Sequence, residues 1–131
     1  MCLMFCEFKE LTGLTVTVDR VVYTPHLEAP PERPYPFEYH ITIHNESDDT
    51  VTIKGRKWVV RDEAGHCLVV EGDGVVGKFP RLEPGDVFSY SSYHTIGRDS
   101  VVEGSFFGTS EDGTPVITRI PKFKLHLRNC F

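Results

Sequence analysis

Residues 37–44 read Phe-Glu-Tyr-His-Ile-Thr-Ile-His, a strict alternation of apolar and polar side chains. Successive side chains of a β-strand point to opposite faces, so this alternation predicts a strand with one buried and one solvent-facing side. Residues 14–19 alternate in the same way. Between the two segments lies a stiff loop that cannot be helical, because prolines recur in it: Pro25, Pro30, Pro31, Pro34 and Pro36.

The remainder of the chain repeats short strand-like segments separated by turn signals, and no window shows a helical period. The segments are residues 51–62, 66–71, 87–93, 101–109 and 115–128. Pro84-Gly85 is placed for a type II turn, Asp112-Gly113 predicts a tight hairpin, and Pro121 predicts a sheet edge or a bulge. About seven antiparallel strands at regular spacing predict an all-β sandwich of the immunoglobulin or fibronectin type III kind.

Length and charge restrict what the chain can be. Its 131 residues fit one domain, which we place at residues 14–131 after a short N-terminal extension at residues 1–13. The net charge of −5 argues against a dedicated nucleic-acid binder. No apolar run is long enough to span a membrane, and the N-terminus lacks the features of an export signal.

Four cysteines are scattered along the chain, at Cys2, Cys6, Cys67 and Cys130. Without an export signal we expect free thiols and a cytoplasmic protein. Cys2 and Cys6 are either soft metal ligands or small apolar residues of an ordinary chain terminus.

A Gly-x-Gly-x-x-Gly run at Gly72, Gly74 and Gly77 resembles a dinucleotide fingerprint. That fingerprint requires a helix directly after the glycines, and Pro80 and Pro84 exclude one here. Two interpretations remain. The glycines permit positive φ angles in a loop, or their N–H groups form an anion-binding nest assisted by two following cations, Lys78 and Arg81.

Arg56 and Trp58 share one face of the predicted strand at residues 51–62. Trp58 either belongs to the sandwich core, with Arg56 covering its edge, or forms with Arg56 an exposed partner-binding pair. His40 and His44 lie about 13 Å apart on a solvent face, too far to share a metal ion. No catalytic motif is present, and we expect no cofactor, no high-affinity metal site and no enzymatic activity.

Nine segments together resemble the ApaG (DUF525) family over residues 14–127. They are residues 37–45, 56–58, 65, 71–77, 80–85, 88–91, 104–106, 112–113 and 120–125. The resemblance implies a fibronectin type III-like sandwich, an association with cobalt resistance and magnesium efflux, and a protein-interaction role. The family has no established catalytic residues, so the resemblance assigns none here.

Three functions follow as hypotheses. The first is a non-enzymatic binding module with an unknown protein partner, which could also self-associate through its sheet edges. The second is binding of a phosphate-bearing small molecule at the glycine run. The third is a hydrolase whose catalytic residues are dispersed in the sequence.

Overall fold

The computed structural model describes residues 7–131. It contains nine β-strands and one terminal 3-10 helix, and no α-helix within the described residues. The strands are β1 (Lys9–Glu10), β2 (Leu14–Tyr23), β3 (Tyr35–Asn45), β4 (Val51–Asp62), β5 (Cys67–Asp73), β6 (Arg81–Leu82), β7 (Val87–Ile96), β8 (Ser100–Ser110) and β9 (Pro115–Leu125), and the 3-10 helix is Leu127–Cys130.

The strands form two sheets that pack face to face as a sandwich. One sheet has the order β1-β9-β8-β4-β5, with β6 also paired to β4, and the other has the order β2-β3-β7. The all-β sandwich predicted from the sequence is confirmed, and its seven longer strands match the predicted segments. The antiparallel expectation has one exception, since β1 pairs with β9 in parallel. This short strand lies inside the segment that we predicted to be an N-terminal extension.

The core follows the alternation that identified β3. Its odd-numbered apolar side chains are buried between the sheets: Phe37, Tyr39, Ile41 and Ile43 are each at most 4 % exposed. Its polar side chains occupy the outer face, where Asp19 of β2 accepts hydrogen bonds from the hydroxyls of Thr17 and Thr42. The period of two therefore separates a dry interior from a hydrogen-bonded surface, as expected for a half-buried strand.

The predicted turns are present. Gly85 has φ 94°, and the N–H of Asp86 donates to the carbonyl of Glu83 at 2.9 Å, as the type II turn requires. Opposite β8, Pro121 and Lys122 together face one residue, so the predicted bulge at Pro121 is confirmed.

The last strand ends earlier than predicted. It stops at Leu125, because the carboxylate of Asp99 accepts the N–H of Leu127 at 2.7 Å and the chain then winds into the 3-10 helix.

Candidate functional site

The outer edge of β5 presents backbone groups that the sheet does not use. Among residues 7–131, β5 pairs only with β4. The N–H of Asp62 donates to the carbonyl of His66 at 2.9 Å, and the N–H of Gly74 donates to the carbonyl of Lys54 at 2.7 Å. Antiparallel strands exchange such bonds at every second residue, so the even-numbered residues of β5 bond to β4. The backbone groups of the odd-numbered residues therefore point away from the sheet, at Cys67, Val69, Glu71 and Asp73. The carbonyl of Asp73 accepts a hydrogen bond from the side chain of Arg56, so the open part of the edge is Cys67 to Glu71.

Apolar side chains are exposed along this edge and in the loop that follows it. Val69 is 50 % exposed, Val76 49 % and Phe79 57 %. Lysine and proline are the usual protection of an edge strand, and the sequence of β5 contains neither. On the far side of the same sheet, β9 carries Pro121 and two lysines and is covered by β1. The edge of β5 is therefore the less protected of the two.

The position of the Arg56 side chain explains why residue 72, the first of the run, is a glycine. Its Nη1 atom donates to the carbonyls of Asp73 at 2.9 Å and Gly74 at 3.2 Å. A Cβ atom at Gly72 would lie 2.7 Å from this Nη1 atom, closer than real contacts allow. Glycine at position 72 thus makes room for a guanidinium that ties β4 to the start of the loop.

The other two glycines serve the backbone of the loop. Gly74 has φ 65°, and a Cβ there would lie 2.5 Å from the carbonyl oxygen of Lys78. Val75 and Lys78 exchange two backbone hydrogen bonds, at 2.8 and 3.0 Å, around Val76 with φ 44° and Gly77 with φ 78°. Two successive positive φ angles define a type I′ hairpin turn, which favours glycine at its second position. Val76 is strained, because positive φ is unfavourable for a β-branched residue.

Little of the expected anion site remains available in this arrangement. The N–H groups of Gly74, Val75 and Lys78 already donate to protein carbonyls. Arg81 forms ion pairs with Glu83 at 3.0 Å and Glu111 at 3.1 Å. Internal contacts thus account for the conformation of the run without an anion.

Trp58 lies in the core, 1 % exposed, so the expectation of an exposed Arg56–Trp58 pair is wrong for the tryptophan. The indole packs against the rings of Tyr39 and His94, at centroid distances of 4.9 and 4.8 Å. Arg56 is half-buried and contacts the glycine run instead of the solvent. The alternative interpretation, in which Trp58 is a core residue, agrees with this position.

His94 is a buried polar residue that belongs to none of the predicted sites. It is 8 % exposed, its ring stacks on Tyr39 at 4.8 Å, and its Nε2 atom has no hydrogen-bond partner within the described residues. Burial lowers the pKa of His94 from 6.5 to about 4, so the imidazole is neutral at physiological pH. The even-numbered residues of β7, such as Tyr90 and Ile96, face the inside of the sandwich. The even number of His94 was therefore the sequence signal that could have identified it as buried.

The remaining histidines and acidic residues within residues 7–131 are also candidate metal ligands by residue type. No three His, Cys, Asp or Glu side chains of this range could hold a metal ion. His40 and His44 separately contact Glu38 at 2.7 Å and the hydroxyl of Thr17 at 2.9 Å.

Cys67 and Cys130 are both free thiols, as predicted, whereas Cys2 and Cys6 lie outside the described residues. No helix in the described part of the chain is long and apolar enough to cross a membrane.

Known proteins resemble this chain in sequence and in structure. The sequence model of the ApaG domain family (DUF525) matches residues 25–109. Protein ApaG of Acidovorax sp. strain JS42 is 41 % identical over 104 residues, covering 79 % of this chain and 76 % of the relative. Protein ApaG of Brucella abortus strain S19 is 40 % identical over 114 residues, covering 86 % and 87 %. A crystal structure of a protein described as ApaA from Bordetella pertussis has a TM-score of 0.78 and 30 % identity, covering 89 % of this chain and 95 % of that one.

Proposed function

The chain belongs to the ApaG domain family, and from this premise we propose that it is a non-enzymatic, cytoplasmic binding module for a partner protein. An extended segment of the partner would add to the sheet along the outer edge of β5. By family resemblance, the cellular process served by this binding is cobalt resistance and magnesium efflux.

The observation that carries the proposal is the row of outward backbone groups on β5. An extended peptide can satisfy such groups by pairing as one more strand, with main-chain hydrogen bonds for affinity and side-chain contacts for specificity. β5 offers seven residues, which is a usual length for a strand. The exposed side chain of Val69 adds an apolar contact at the middle of the edge.

Charge indicates the chemistry of the partner. The exposed charged side chains of β5 are Glu71 and Asp73, both acidic, and the whole chain carries a net charge of −5. Lys57 of β4 already pairs with Glu71 at 3.5 Å, so a complementary segment would place an apolar residue beside Val69 and a basic residue beside Asp73.

Site-specific photo-crosslinking tests the proposal. A benzophenone amino acid replaces Val69 in one variant and Val101 in the control, an exposed valine of β8 in the same sheet, away from the edge. We expect one partner segment to crosslink at position 69 and not at position 101.

The partner segment identified by crosslinking is then synthesised as a peptide and titrated into the protein, and amide hydrogen exchange of the protein is measured. Hydrogen exchange should slow at the amides of Cys67, Val69 and Glu71, whose N–H groups point outward, and change little at Leu68 and Val70. Val69→Pro removes an outward N–H without touching the β4 pairing, and it should abolish binding. Equal crosslinking at both positions, or binding that survives the proline, would contradict the proposal.

A second copy of the chain, paired through the same edge, is the competing occupant of β5. Two copies of β5 that pair antiparallel about Val69 would place Glu71 opposite Cys67, so like charges would not face each other. Sedimentation over a range of protein concentrations distinguishes the cases. If the protection of the outward amides from hydrogen exchange increases with protein concentration, the occupant of the edge is a second copy of the chain and not a different protein.

A further inference from the structure

We propose that a cleft between the two sheets, at the end of the sandwich with the β4–β5 hairpin, binds a singly charged carboxylate carried on an apolar group. The site adjoins the proposed partner-binding edge, because Cys67 and Leu68 of β5 line the cleft, but its two arginines lie outside β5. The cleft has a volume of about 450 Å³, within the range of small-molecule sites. Strands of both sheets and the loop between β2 and β3 contribute to its walls.

Three apolar side chains form one part of the cleft's lining, beside polar and charged residues. Val60 of β4 and Ile96 of β7 line it and are 5 % and 2 % exposed, and Leu68 of β5 lines it and is half-buried. An aliphatic or aromatic group could bury its surface against these three side chains. The hydrophobic effect would favour that burial.

Two arginines line the same cleft. The Nε atom of Arg33 donates to the hydroxyl of Thr95 at 3.3 Å, which fixes the side chain beside β7. Its Nη1 atom also forms an ion pair with Glu32 at 3.7 Å, which is longer than a hydrogen bond. Arg98, in the turn between β7 and β8, is exposed and lines the cleft. A guanidinium binds a carboxylate through two parallel hydrogen bonds, so these residues select for an anionic group.

Close backbone packing holds the rim in position. A Cβ atom at Gly97 would lie 2.6 Å from the carbonyl oxygen of Glu32, so glycine allows the β7–β8 turn to approach the β2–β3 loop. The hydroxyl of Tyr93 also donates to the carbonyl of Glu28 in that loop at 3.0 Å. A preorganised rim lowers the entropy cost of binding.

Acidic groups in the cleft favour a monoanion over a dianion. Asp62 and Glu32 line it together with the two arginines, so the formal charges of these four side chains cancel. Asp62 is already occupied, since its Oδ1 atom accepts the N–H groups of Ala64 at 2.9 Å and His66 at 3.0 Å. A phosphate dianion would meet stronger repulsion from the two carboxylates than a single carboxylate would.

NMR titration of the full chain tests the proposal with three probes. N-acetyl-leucine carries both the carboxylate and an apolar group, N-acetyl-leucinamide lacks the charge, and inorganic phosphate lacks the apolar group. We expect saturable amide shifts at Leu68, Ile96 and Gly97 with N-acetyl-leucine alone. Arg98→Gln should weaken this binding about tenfold, the loss of one charge-assisted interaction. Arg128→Gln, an exposed arginine outside the cleft, is the matched control and should bind as the unmodified chain does.

The origin of the carboxylate is tested with peptides that end in leucine, either as a free acid or as an amide. Tighter binding of the free-acid peptide than of N-acetyl-leucine would identify the chain terminus of a polypeptide as the source. Equal affinity would identify a small carboxylic acid.

The proposal is overturned if the uncharged amide binds as tightly as the acid, or if phosphate produces the same shifts. It is also overturned if Arg98→Gln binds N-acetyl-leucine without loss, or if no probe saturates the cleft. These titrations use the chain without a partner, and Arg98 lies outside β5, so their outcome does not depend on whether a partner binds β5.

Discussion

Protonation of His94 should destabilise the fold in mildly acidic solution. Burial lowers its pKa from 6.5 to about 4 in the folded protein. The unfolded chain therefore takes up this proton more readily, and the free energy of unfolding falls as the pH drops from about 6.5 to about 4. Between pH 7.5 and pH 4.5 this uptake of a proton by the unfolded chain lowers the free energy of unfolding by about 2–3 kcal/mol, a large part of the 5–15 kcal/mol typical of a domain.

Trp58 provides the assay, because it is the chain's single tryptophan and its ring lies 4.8 Å from that of His94. Urea unfolding followed by its fluorescence gives the free energy of unfolding at each pH. His94→Phe keeps an aromatic ring against Tyr39 but cannot be protonated. We expect its loss of stability on acidification to be about 2–3 kcal/mol smaller than that of the unmodified chain.

His26→Gln is the control, because it removes a histidine that is exposed instead of buried. The unmodified chain and the two variants share the carboxylates that titrate in the same pH range, so the effect of these groups on stability cancels when the three are compared. The reasoning is refuted if His94→Phe loses as much stability as the unmodified chain. It is equally refuted if NMR shows the His94 ring of the folded protein titrating near pH 6.5.

Three further predictions concern the glycine run and the thiols. Val76→Asn should raise the free energy of unfolding by about 1 kcal/mol, because asparagine tolerates the positive φ of a type I′ turn, and a lower urea midpoint would contradict this. Arg56→Met should cost about 2 kcal/mol in the same assay through loss of its two carbonyl hydrogen bonds, whereas Arg61→Met, which breaks an exposed ion pair, should cost less than about 1 kcal/mol. Ellman's reagent should react with exposed Cys67 before Cys130, whose pKa is raised by burial, and the reverse order would contradict the structure.

Local rules predicted the seven longer strands because each of them carries its own signal, whereas the two-residue strands β1 and β6 were not predicted. The alternation in β3, the turn at Gly85 and the bulge at Pro121 each depend on residues that are near one another in sequence. The end of β9 could not be located in this way. It depends on a hydrogen bond from Leu127 to Asp99, a side chain that precedes it by 28 residues.

The candidate sites were harder to predict because they depend on which strands become neighbours. The order of strands in the sheet leaves β5 with an open edge, and no pattern within residues 67–73 reports that order. Arg33 and Arg98 likewise meet across one cleft only because the β2–β3 loop packs on the β7–β8 turn.

The glycine run shows why a motif needs its structural context. Gly-x-Gly-x-x-Gly is informative for nucleotides only where a helix follows, since the helix N-terminus supplies the donors for a pyrophosphate. Here a guanidinium occupies the space over Gly72, a carbonyl lies against Gly74, and Gly77 completes a two-residue turn. Each glycine therefore has a local cause that requires no ligand. A test of the run follows directly: Gly72→Ala should displace Arg56 and lower stability, whether or not phosphate is present. If stability fell only in the presence of phosphate, the glycines would have to be assigned to a ligand after all.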